Sequence, residues 1–113
     1  MSVFYDEINI KTKGEVDIID ITSDIQNVID KSKIINGLVC VFVPGSTGTI
    51  TTIEYEPGLK KDFPRALQKI APKGEYYNHH ETWHDDNGHS PNIDILRIKS
   101  SYITRTYVYY ILT

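Results

Sequence analysis

All four histidines lie between residues 79 and 89, in the stretch His-His-Glu-Thr-Trp-His-Asp-Asp-Asn-Gly-His. Imidazole changes protonation near neutral pH and is also a common metal ligand. The stretch contains His80-Glu81-Thr82-Trp83-His84, which satisfies the H-E-x-x-H spacing. In metalloproteases that motif needs a helix, which puts both rings on one face with the glutamate as general base. Tyr76, Tyr77, Asn78 and Trp83 lack helical apolar periodicity, and Asp85, Asp86, Asn87, Gly88 and Pro91 predict irregular backbone. A protease helix is therefore disfavoured. A looser divalent site fits better: His79 and Trp83, or His80 and His84, would face a pocket while Asp85, Asp86 and His89 approach from the loop, with His80, His84 and His89 the leading candidate ligands and His80 and Asp86 near the reacting groups. Zinc or manganese would suit the imidazoles, and magnesium the carboxylates. The alternative is a polar loop whose histidines make ordinary hydrogen bonds.

A second candidate is Pro44-Gly-Ser-Thr-Gly-Thr49. Its glycines and the hydroxyls of Ser46, Thr47 and Thr49 predict a nest of donors for a phosphate or sulfate. It is not a Walker A loop, because the Gly-Lys-Ser/Thr ending is missing. A plain β-turn is the other reading. Glu54 and Glu56 flank Tyr55; on a strand the two carboxylates would share a side and serve as acid, base or metal ligands. Beside a helix N-terminus they would instead be structural. Lys60, Arg65, Arg97 and Lys99 are candidate phosphate contacts. Cys40, the single cysteine, sits in the apolar run Gly-Leu-Val-Cys-Val-Phe-Val and is expected to be buried and inert.

The elements that must position these groups follow from periodicity. Residues 2–10 alternate loosely and predict a strand, Lys13-Gly14 a turn, and Val16–Ile21 a second strand completing a hairpin. Ser23-Asp-Ile-Gln26 fits a capping box for a helix burying Ile25, Val28, Ile29 and Ser32, ending near Asn36-Gly37. Leu38–Val43 predicts a central strand buried on both faces. Thr49–Tyr55 predicts another. Glu56-Pro57 opens a helix with Leu59, Phe63, Leu67 and Ile70 on one face, kinked or restarted at Pro64 and stopped at 71–74. After the histidine stretch come strands at Ile93–Ile98 and Tyr102–Leu112. The class expected is α+β: a mainly antiparallel or mixed sheet with two helices packed on one face.

The 113 residues suit one domain. A formal charge of −3 gives no electrostatic case for nucleic acid. No long apolar stretch is present, so a membrane span and a signal peptide are not expected and a cytoplasmic protein is.

The runs PGSTGTITTIEYEPGLKKDFPRAL and APKGEYYNHHETWHDDNGHS resemble the YjbQ-like family, labelled secondary thiamine-phosphate synthase-like, and its archaeal members most. The resemblance is strongest over residues 2–90 of a single domain spanning 1–113. It implies a small α+β homotrimer that takes a small phosphorylated substrate, with weak thiamine-phosphate synthase activity. It places Pro44, Thr47, Glu54, Glu56, Pro57 and Gly58 near a polar pocket, together with His80, Asp86, Asn87, Gly88, His89 and Ser90. That pocket would bind phosphate or a metal between subunits. Pro91 stands where the family pattern has a further histidine, and residues 91–113 diverge. The sequence is accordingly expected to be a truncated product, lacking one or two strands and part of the pocket, and the alternative function is a non-catalytic phosphate- or metal-binding homo-oligomer.

Overall fold

The computed structural model describes residues 2–14, 16–44, 47–85, 88, 101–102 and 110–112. The chain is α+β, with the order β1 (Ile18–Asp20), α1 (Thr22–Ser32), β2 (Leu38–Val39), β3 (Thr49–Thr51), α2 (Pro57–Ile70), α3 (His79–Trp83), β4 (Ser101–Tyr102) and β5 (Tyr110–Leu112). β5 lies at the centre of a three-stranded sheet, antiparallel to both β1 and β3. Its Ile111 is opposite Ile19 on one side and Ile50 on the other. β2 and β4 form a separate antiparallel pair. Every pairing among the described residues is antiparallel. The predicted strand at Ile93–Ile98 lies outside them.

The core is Ile21, Ile25 and Ile50, from the β1–α1 junction, α1 and β3. Ile8, Ile10, Val39, Val41 and Val43 pack around it, half-buried. Burying each such aliphatic chain contributes about 1.5–3 kcal/mol before the entropy of ordering it.

Several expectations are corrected. Residues 2–10 form no strand, and the hairpin is absent. Val3, Phe4 and Tyr5 are exposed, so only Ile8 and Ile10 rest on the core, and β1 pairs with distant β5 instead. The predicted turn is present, with Gly14 at φ 146°. The run 38–43 is not buried on both faces. Val39, Val41 and Val43 face inward, whereas Leu38 and Phe42 are exposed. Cys40, on the same outward side, is exposed rather than buried.

α1 starts one residue before the expected cap. Asp20, not Ser23, serves its first turn, accepting from Thr22 N at 2.9 Å and Thr22 Oγ1 at 2.6 Å. The buried face is as expected, with Ile25 buried and Val28, Ile29 and Ser32 half-buried. The helix ends at Ser32, short of Gly37. Ser32 Oγ donates to the Ile29 carbonyl at 2.6 Å and accepts from Ile34 N at 3.1 Å, while Lys33 takes the left-handed conformation. A side-chain hydroxyl thus replaces the expected glycine stop. α2 runs unbroken through Pro64 and ends at Ala71. Leu67 is buried and Leu59 and Phe63 half-buried, but Ile70 is exposed.

Candidate functional site

The histidine stretch is less irregular than its sequence predicts. His80 N donates to the Tyr77 carbonyl at 3.0 Å, Glu81 N to Asn78 at 3.1 Å, and His84 N to His80 at 2.8 Å. These bonds build α3, which stops where His84 turns left-handed at φ 54°. One helical turn is enough to bring the rings of His80 and His84 edge to face, with centroids 6.1 Å apart. Of the H-E-x-x-H residues, His80 to Trp83 therefore lie on helical backbone, within a helix of five residues, and His84 caps it in the left-handed conformation. Glu81, the glutamate of that motif, accepts from Tyr76 Oη at 2.7 Å.

Asp85 ties the two leading histidines together. His80 Nδ1 lies 2.8 Å from the Asp85 main-chain oxygen. A carbonyl can only accept, so Nδ1 carries the proton and the neutral ring has its lone pair on Nε2. Metal-binding and proton-abstracting imidazoles are commonly oriented this way. Asp85 Oδ1 stands 3.6 Å from His79 Nε2. It is shielded from solvent and has no hydrogen-bond partner among the described residues. Asp86, Asn87, His89 and Ser90 lie outside the described residues. Among those described, no group of three or more histidine, cysteine, aspartate or glutamate side chains is arranged to hold a metal. His80 fits one ligand position of such a set; the trio His80, His84 and His89 is not assembled within the described residues.

The second candidate loop is described in part, since Gly45 and Ser46 lie outside. Thr47 is exposed, Gly48 is buried, and Thr49 opens β3 at 6% exposure. Thr49 Oγ1 is buried with no hydrogen-bond partner among the described residues. An unmet buried hydroxyl costs about 1–3 kcal/mol, so a ligand oxygen there would stabilise the fold.

The two glutamates do not share a strand face. Glu56 N donates to the Glu54 carbonyl at 3.0 Å, a three-residue turn that breaks the extended chain. Glu56 caps α2, its carboxylate accepting from Gly58 N at 2.7 Å and from Leu59 N. A Cβ at Gly58 would stand 3.0 Å from that carboxylate, so glycine lets the cap close. Glu54 is left exposed. Lys60 lies over the Tyr55 ring at 4.1 Å, and Arg65 pairs with Asp62. Arg97 and Lys99 lie outside the described residues.

Two groups that sequence reasoning passed over complete the neighbourhood. The Asp85 carbonyl carries no sequence signal, being main chain. Tyr77 donates from Oη to the Pro72 carbonyl at 2.7 Å and packs on Gly88. The tyrosine pair before the histidines was the available hint.

The family model of UPF0047 YjbQ-like proteins matches residues 6–104. The chain belongs to the YjbQ-like UPF0047 family. The match runs past Ser90 into the divergent tail. A UPF0047 protein of Archaeoglobus fulgidus is 34% identical over 73 residues, which is 65% of this chain and 56% of that protein. One from Methanothermobacter thermautotrophicus is 33% identical over 89 residues, covering 79% of this YjbQ-like chain and 62% of the relative. The chain thus matches little more than half the length of these curated relatives. A crystal structure of a YbjQ-like protein of unknown function from Sulfolobus solfataricus P2 superposes with a TM-score of 0.84 at 23% identity, over 95% of this chain and 83% of that one. An uncharacterised YjbQ/UPF0047 protein of Clostridium acetobutylicum gives 0.75 at 28%, over 90% and 84%. Both likenesses place this chain in the YjbQ-like fold. Among the described residues no helix is long and apolar enough to cross a membrane.

Proposed function

We propose that this chain binds a small phosphorylated ligand at the loop that ends in Thr49, and that it uses the site for thiamine-phosphate synthase-like transfer. In that reaction a pyrimidine diphosphate and a thiazole phosphate are joined, and pyrophosphate leaves with the bonding electron pair. The observation that carries the reading is the buried Thr49 hydroxyl with no partner among the described residues. A phosphate oxygen would accept from it, and Ser46 and Thr47 would add donors. His80, held with its lone pair on Nε2, would accept a proton or hold a metal. A divalent cation, when bound, would offset charge on the leaving pyrophosphate. Asp86 and His89 would complete its ligands, and Glu54 would act as acid or base. The site would form between subunits of a homotrimer.

The second reading is a non-catalytic phosphate- or metal-binding homo-oligomer. One observation favours it: Glu81, the residue H-E-x-x-H chemistry would use as base, accepts from Tyr76 Oη at 2.7 Å.

Calorimetric titration of the full chain with pyrophosphate and Mn²⁺ separates the readings. Binding is expected, and Thr49→Val is expected to weaken it roughly tenfold, the worth of one hydrogen bond to a charged group. Pyrophosphate release from the two substrates supports transfer. Binding without release supports the second reading, and no binding in the parent chain overturns both.

A further inference from the structure

Gly88, four residues past His84, lies against Tyr77, two residues before α3. Gly88 is buried, and a Cβ there would stand 2.5 Å from Tyr77 Cβ and 2.9 Å from its Cγ. Carbon atoms in contact sit roughly 3.5–4.0 Å apart. Tyr77 Cβ is one bond from the main chain, so no rotamer change moves it away. Any residue larger than glycine at 88 must displace Gly88 or Tyr77 from this contact.

Tyr77 is itself fixed on two sides. Its Oη donates to Pro72, just past the end of α2, and its carbonyl accepts from His80 N in α3. One residue therefore touches the segment after α2, the first turn of α3 and Gly88. Between α3 and Gly88 in the chain stands Asp85, whose carbonyl lies 2.8 Å from His80 Nδ1.

We propose that Tyr77 and Gly88 are positioning residues for His80. Their close packing anchors Gly88, three residues past Asp85 in the chain, and this keeps the Asp85 carbonyl on Nδ1 and the lone pair on Nε2. The consequence for ligand or proton binding at Nε2 rests on the reading given under Proposed function; the tautomer itself does not.

The test is a long-range ¹H–¹⁵N correlation of the imidazoles in the full chain, at about pH 8, where histidine is neutral. The parent should show His80 protonated on Nδ1. Gly88→Ala should shift the tautomer ratio toward the Nε2–H form on the order of fivefold, as expected for one lost hydrogen bond. The amide shifts of Ile25 and Ile50 in the core should stay in place. Tyr77→Phe removes only the bond to Pro72 and should move the ratio the same way by less. An unchanged tautomer in Gly88→Ala with the core shifts intact overturns the assignment. If Gly88→Ala fails to fold, Tyr77→Phe decides: a partial shift supports the assignment, and no shift overturns it. Neither readout uses a ligand. A parent chain that fails to bind pyrophosphate therefore counts against the phosphate reading alone.

Discussion

The Tyr76 hydroxyl donates to Glu81 at 2.7 Å, and this bond, followed by partial desolvation, raises the Tyr76 pKa above its ordinary value near 10. A pKa that is higher folded than unfolded marks stability that is fully present below the unfolded value and lost as pH rises through the folded one. The Tyr76–Glu81 contact is therefore expected to hold through neutral pH and to loosen only above about pH 10. Ultraviolet titration of tyrosinate, compared between the parent and Tyr76→Phe, checks this: one phenol that titrates above the ordinary value should vanish in the variant. If the missing phenol titrates at or below the ordinary value, the bond is not made in solution. The contact also engages the glutamate that H-E-x-x-H chemistry would use as base, so at residue scale His80 and Asp85 are the stronger candidates.

At the scale of elements, α2 depends on the Glu56 carboxylate. It satisfies Gly58 N and Leu59 N, two of the four donors that a helix start leaves without partners. Glu56→Ala is expected to cost about 1 kcal/mol, in the range found for helix caps. Urea denaturation should show a lower midpoint with an unchanged slope, and a variant as stable as the parent would make the cap dispensable. This role was one of two that the spacing of Glu54 and Glu56 left open. The choice was decided by the turn at 54–56, which no propensity at those positions announces. α1 shows the same limit. Its buried face at Ile25, Val28, Ile29 and Ser32 followed from period alone. Its stop did not, because the bonds of the Ser32 hydroxyl to Ile29 and Ile34 ended it before Asn36-Gly37.

At the scale of the whole molecule, β5 is the strand on which the three-stranded sheet depends. Among the described residues it alone pairs with β1 and with β3 in that sheet, so without Tyr110–Leu112 both would lose that ladder partner. A chain ending at Tyr109 is expected to lose cooperative thermal unfolding, read by circular dichroism. A truncated chain that melts like the parent would show that the sheet forms without it. Ile111 is opposite both Ile19 and Ile50 in register, and Leu112 is opposite Thr49, so β5 holds the strand that carries Thr49.

Much was determined by the sequence alone. The 3.6-residue spacing of apolar side chains located both long helices, and β-rich runs located the strand character of 38–39, 49–51 and 110–112. The histidines and the Pro44–Thr49 loop stood out as candidates for chemistry, and the runs around them carried the family. These are local properties, set by residue type and by the geometry of a few neighbouring peptide units. Tertiary structure decided the rest. It paired β1 with β5 across most of the chain instead of with residues 2–10, turned Cys40 outward, and buried the Thr49 hydroxyl. It also set an aspartate's main-chain oxygen on His80. Such pairings depend on which distant surfaces exclude water together, and main-chain groups are the same at every position, so neither leaves a mark in the order of side chains.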